Sequence, residues 1–164
     1  MKQKLLQKGF TLIELLGIIL FISLLAVVVF IVLDPVKRFT DAKNVHRISD
    51  VNAIFSAVHQ AVTQSNGELP AGLSVAMAVT QIGTAAYGCD SSCAQATASA
   101  CVNLNGSLAK YLKHMPQDPD IGTSQATGYY VVVDANNTLT VGACRSEHGS
   151  DIAVSKNLSE IHIE

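Results

Sequence analysis

Apolar and polar positions follow three rhythms along this chain, and each predicts a different element. From Phe10 to Leu33 there is almost no alternation: 20 of the 24 residues are apolar, Glu14 is the single charge, and proline is absent. A helix that is greasy all round has no face for water. The 24 residues of that run would extend about 36 Å as a helix, more than the roughly 30 Å hydrocarbon core of a bilayer. Beyond it the apolar residues Val36, Phe39, Ala42, Val45, Ile48, Val51, Ile54, Phe55, Val58 and Val62 fall at intervals of mostly three or four. That spacing predicts an amphipathic helix with Lys37, Asp41, Lys43, Arg47, Asp50 and Gln60 on its wet face. It should end near Ser65, where Asn66-Gly67 offers a stop and Pro70 follows. Joined, the two stretches predict one helix of roughly 55 residues, about 80 Å long. Pro35 should bend it, because an interior proline loses a hydrogen bond and crowds the preceding turn.

The second half reads differently. Ser74 to Ile82 fits a short helix or a strand, and Gly83 to Ala100 is small, polar and cysteine-bearing. Cys101 to His114, with Val102, Leu104, Leu108, Tyr111 and Leu112, predicts a short helix halted by Pro116. After the loop Pro116-Gln117-Asp118-Pro119-Asp120, strands are expected at Thr127–Asp134 and Thr138–Cys144, joined by a tight hairpin at Ala135-Asn136-Asn137. Asp151 to Ser155 adds a third strand, with a loose tail after Asn157. The predicted class is α+β, a long N-terminal helix packed on a small antiparallel sheet.

Composition sharpens this picture by showing where the hydrophobicity sits. Of 164 residues 49% are apolar and 15% charged, which excludes a solvated, disordered chain. Residues 34–164 alone hold 57 apolar residues in 131, an ordinary globular content, so the excess belongs to the Phe10–Leu33 run. The formal charge of −2 argues against a nucleic-acid partner held by bulk charge. Lys2, Lys4 and Lys8 precede the run with no acid among them, which favours a cytoplasmic N-terminus and an exported remainder. A cleavable secretory signal fits poorly, since the run is too long and Leu33-Asp34-Pro35 is no small-x-small site. A plain anchor fits the length but leaves Glu14 to be explained. An ionised carboxylate within a membrane helix costs about 2.5–3.5 kcal/mol, unless it sits at the interface or is protonated.

The segment Lys8-Gly9-Phe10-Thr11-Leu12-Ile13-Glu14, read with the basic leader before it and the apolar run after it, resembles the processing motif of type IV pilin-like proteins. These comprise the type IV pilins and the type II secretion pseudopilins. The resemblance implies that a prepilin peptidase cuts between Gly9 and Phe10 and methylates the new N-terminus at Phe10. It also implies the family's lollipop-shaped fold and assembly into a filament, with Glu14 meeting the Phe10 amine of a neighbouring subunit. The domain layout is then a removed leader at 1–9, a transmembrane and assembly helix at 10–33, an amphipathic half at 34–65, and a head at 66–164. Many pilins carry a proline inside the apolar half, whereas here the first is Pro35, at its end. The stretch from Pro116 to Asp120, followed by Thr127-Gly128-Tyr129-Tyr130 and a hairpin, also looks like the family's approach to its sheet.

Cys89, Cys93, Cys101 and Cys144 all lie in the part expected to be exported, and an even number there points to disulfides. Sequence leaves three connectivities open; we expect Cys89–Cys93 with Cys101–Cys144, the second stapling the short helix to the end of the hairpin. The spacing Cys89-x-x-x-Cys93 is half of a metal site at most, with no second pair to complete it. Asp118 and Asp120 are the one candidate calcium pair, though a solvated turn explains them more simply. His46, His59, His114, His148 and His162 are scattered, and no nucleophile elbow or phosphate loop accompanies them, so no enzyme and no cofactor are expected.

The expected function is that of a structural subunit of a type IV pilus-like filament. Its partners would be copies of itself, other pilin-like subunits, the prepilin peptidase and an inner-membrane assembly platform. It would wait in the bacterial inner membrane as a single-pass protein and end in an extracellular filament. The alternatives are a type II secretion pseudopilin, or a DNA-uptake or adhesion pilin with a ligand-binding head. Loss of the leader leaves 8 basic against 13 acidic side chains, a formal −5. DNA binding would then need a local patch, with Lys110, Lys113 and Arg145 as candidates.

Overall fold

The computed structural model describes residues 9–159. Most of the expected leader, including Lys2, Lys4 and Lys8, lies outside that range, as does the end of the C-terminal tail. The chain divides into two compact units at Phe39/Thr40.

The first unit contains helix α1, Leu12–Leu33, and the start of α2, Pro35–Gln64. One long helix bent near Asp34-Pro35 was the expectation; the structure goes further and breaks it at Asp34, which adopts a left-handed conformation with φ 36° and ψ 71°. The residue before a proline is pushed out of the right-handed helical region, and aspartate tolerates the left-handed one better than most side chains. Pro35 therefore opens α2, where its missing N–H would have had no helical acceptor in any case. The Asp34 carboxylate accepts from the Lys37 N–H at 3.4 Å, and its carbonyl accepts from the Arg38 N–H at 3.3 Å. A single residue thus closes one helix and caps the next.

In the second unit α2 ends at Gln64, with Asn66 and Gly67 in positive-φ conformations just past it. The sheet is an antiparallel meander in the order β1 (Thr80–Gln81), β2 (Tyr129–Val133), β3 (Thr138–Ala143), β4 (Ala153–Asn157). Register Tyr129↔Ala143, Val131↔Val141 and Val133↔Leu139 places these six side chains in the core with Val51, Ile54, Val58 and Val62 of α2. The β2–β3 turn is held by the Asp134 carboxylate, which accepts from the Asn136 and Thr138 N–H groups, both at 2.8 Å. On the opposite face Tyr130 packs with Cys93, Ala96 and Cys144. Its ring lies across Gly142, where a Cβ would collide with it. The long helix on a small antiparallel sheet is the α+β arrangement expected.

Several local expectations fail. The apolar stripe predicted along α2 holds only from Val51 onward. Val36, Phe39, Val45 and Ile48 are exposed, while Arg47, assigned to the wet face, has no exposed surface. Arg47 precedes Val51 by one helical turn and so shares its face. Cys101–His114 forms a run of turns rather than a helix, with Leu108 and Leu112 N–H groups reaching the Leu104 and Leu108 carbonyls at 2.9 Å each. Gly106 inside the run weakens any helix there. The one short helix of the connection is α3, Cys89–Ser92. β4 sits two residues later than expected, and Leu158 is buried rather than loose, its N–H donating to the Asn137 carbonyl at 2.8 Å.

All four cysteines are bridged, but as Cys89–Cys101 and Cys93–Cys144. The expected pairing fails because Cys93 leaves α3 in an extended conformation (φ −136°), carrying it toward the end of β3. Meanwhile the Cys89 N–H donates to the Ser99 carbonyl and the Cys101 N–H to the Ala85 carbonyl, 3.0 Å each, which brings those two segments together. Buried Gln81 sits beside the bridges, its amide donating to the Cys89 carbonyl at 3.0 Å and accepting from the Gly128 N–H at 3.1 Å.

Candidate functional site

Two places in the described chain depart from what an isolated folded domain needs. The first is the N-terminal segment. Gly9 and Phe10 are exposed, and nothing lies within 4 Å of where a Gly9 side chain would begin. Thr11 is the N-cap of α1; its hydroxyl accepts from the Glu14 N–H at 3.3 Å. This is half of a capping box, since Thr11-x-x-Glu14 has the pattern in which the acid reaches back to the cap N–H. The return bond is not made: among the described residues the Glu14 carboxylate has no hydrogen bond or ion pair. Its place in the first turn is nonetheless favourable, because the unpaired N–H groups of a helix start attract negative charge.

Every described side chain of α1 is exposed, and the segment is long and apolar enough to cross a membrane. So continuous an exposed apolar surface exceeds the few hundred Å² that a soluble monomer usually shows. By length and composition a bilayer could cover it. Its few polar side chains do not interrupt the surface, the Ser23 hydroxyl being turned back to donate to the Ile19 carbonyl at 2.7 Å.

The second place is a buried ionic knot in the second unit, which the sequence reading missed. Arg47 donates from Nε to Asp118 Oδ2 at 2.6 Å and from Nη2 to Asp118 Oδ1 at 3.3 Å, and neither side chain is exposed. Asp118 also accepts from the N–H groups of Asp120 (2.8 Å) and Ile121 (3.1 Å). Burial pushes the Asp118 carboxyl upward, but the Arg47 hydrogen bond and those two backbone donors outweigh it and hold its pKa below the usual carboxylate value. Arg47 is raised in turn, chiefly by the same hydrogen bond. Asp120 pairs with Lys43 at 2.6 Å, and that bond lowers its pKa. Asn44 completes the knot, accepting from the Glu147 N–H at 2.9 Å and donating to its carbonyl at 3.1 Å. The backbone of Gly122 and Gly128 runs so close to Asp118 that a side chain on either would strike it.

Those contacts bear on the candidate calcium pair, because the Asp118 and Asp120 oxygens face Arg47 and Lys43. No cluster of three or more metal-ligating side chains occurs among the described residues. The candidate basic patch is engaged in part: Lys110 donates to Gln64 Oε1 at 2.6 Å, and Arg145 lies close enough to Asp120 to lower its pKa. One further hydroxyl is tied into α2, Tyr129 donating to Asp50 Oδ2 at 2.6 Å; burial and that carboxylate raise its pKa. The signal for the knot was present in the helical phase of Arg47, but only the fold reveals Asp118 as its partner across 71 residues. Comparison with protein-family profiles, curated proteins and solved structures finds no match to this chain.

Proposed function

We propose that the chain is a structural subunit of a type IV pilus-like filament, processed between Gly9 and Phe10 and assembled through α1. One observation carries this reading: the sole charge on an otherwise apolar, exposed helix has no hydrogen-bond or ion-pair partner among the described residues. Glu14 lies four residues from Phe10, and cleavage after Gly9 creates an amine of opposite charge at Phe10. In a bundle of α1 helices the amine of one subunit and the carboxylate of another neutralise each other, which sets axial register. An unpaired charge in that bundle would be strongly disfavoured. A head-to-tail contact of this kind does not close on itself and so propagates as a helix.

The remaining parts serve the same end. The membrane holds α1 until assembly, with the N-terminus cytoplasmic and the disulfide-bonded part exported. Assembly requires a prepilin peptidase and an inner-membrane platform as partners. We favour a surface pilus subunit over a secretion pseudopilin, because Asp118 and Asp120 are engaged by Arg47 and Lys43 and the head carries two disulfides. Replacing Glu14→Ala tests the assembly role: membrane insertion should persist while filaments counted by electron microscopy fall to a small fraction of the parent level. Normal filament numbers in that variant would overturn it.

A further inference from the structure

Beside the core of the second unit lies a cleft of about 300 Å³, a volume suited to a small ligand or a terminal residue. Its floor is apolar: Ile82, Leu104 and Leu108 belong to the core, and half-buried Leu112 and Met115 extend that surface into the opening. One wall exists because Gly83 lets the backbone at Gln125 approach so closely that a Cβ would collide with its carbonyl, which brings Ser124 to the edge. The rim is polar and carries Asn105, Lys113, His114 and Gln117. All four are exposed, and among the described residues none of these side chains makes a hydrogen bond or ion pair. No acid lines the cleft, in a chain whose acids outnumber its bases 13 to 11.

An apolar floor, the carboxamides of Asn105 and Gln117, the Lys113 ammonium and the His114 imidazole together define a ligand chemistry. We propose that this cleft binds a carboxylate carried on a short apolar body with an adjacent amide, as at the C-terminus of a peptide ending in an aliphatic residue. The aliphatic side chain covers Leu112 and Met115, the carboxylate accepts from Lys113 with His114 beside it, and the amide pairs with Asn105 or Gln117. Charge-assisted hydrogen bonds are stronger than neutral ones, so the carboxylate supplies most of the selectivity. This inference does not depend on α1 or on filament assembly.

The test uses the full-length chain in detergent micelles with methyl-labelled leucine and methionine, titrated with N-acetyl-alanyl-leucine and followed by NMR. Saturable shifts of the Leu112 and Met115 methyls are expected. Affinity should fall about tenfold or more for the C-terminal amide of the same dipeptide, and similarly for Lys113→Gln/His114→Gln, since a hydrogen bond to a charged group is worth about that much. Hexanoate, which keeps the charge and the apolar body but lacks the amide, separates a free fatty acid from a peptide end and should bind more weakly. Absence of methyl shifts, equal binding of the amidated peptide, or hexanoate binding as tightly as the dipeptide would each overturn the proposal.

Discussion

Arg47 and Asp118 are among the most buried side chains of the second unit, and both are charged. A buried pair of this kind adds little net stability compared with apolar residues of the same volume, yet removing one partner strands the other. Asp118→Asn should therefore destabilise the fold by about 3–5 kcal/mol, read as a loss in thermal or denaturant unfolding followed by near-ultraviolet circular dichroism. The double replacement Arg47→Met/Asp118→Leu should cost clearly less than the single one, because neither member of the fully buried pair is left charged without the other; equal losses would mean that the pair does not act as a unit. Acid sensitivity follows from the same group. Since folding lowers the Asp118 pKa, the unfolded chain binds more protons below about pH 4. Its contribution is fully present above that pH and fades as pH falls toward the folded-state value, so Asp118→Asn should flatten the acid limb of a stability-against-pH curve. None of this was readable from composition. Arginine in an amphipathic pattern is assigned to water by its chemistry, and only its position one turn before Val51 hinted otherwise.

Elements were legible where local chemistry decides them, and illegible where distant segments do. The β2–β3 hairpin announces itself, because Asp134 and the Asn136-Asn137 pair carry the turn within a few residues; Asn137 takes the positive φ such a turn requires. The end of α2 is equally local. The turns at Cys101–His114 misled because apolar residues at helical spacing also line a core-facing loop: here the Val102 N–H donates to the Gln81 carbonyl of β1 at 2.9 Å, and Leu104 lies in the core. Disulfide pairing lay beyond sequence for a related reason: it depends on where α3 delivers Cys93. Peptide mapping under non-reducing conditions should return Cys89–Cys101 and Cys93–Cys144 links. Cys93→Ser/Cys144→Ser opens a loop with a sequence separation of 51 and should lose about 4 kcal/mol in the chain-entropy account. Opening the link that spans 12 residues should lose nearer 3 kcal/mol by the same account. A larger loss from the shorter link would show that the bridge holds the Gln81 region by contacts rather than by entropy.

At the scale of the whole molecule the chain carries two kinds of hydrophobic surface with different destinations. The core formed by α2 and the sheet is satisfied internally, with Val51, Ile54, Tyr129, Val131 and Leu139 fully enclosed. The described side chains of α1 are exposed, and among the described residues Glu14 within it has no counter-charge. Membrane insertion answers the first of those needs but not the second. Under the proposed assembly, bundling with neighbouring copies would cover the surface and bring the Phe10 amine of one to Glu14 of another, and processing would remove three lysines to leave a formal −5. The central claim therefore turns on one bond, between Gly9 and Phe10. Mass spectrometry of the chain purified from cells that make prepilin peptidase tests it directly. The account predicts a mature protein beginning at an N-methylated Phe10, and a chain still carrying Met1 to Gly9 in those cells would contradict it.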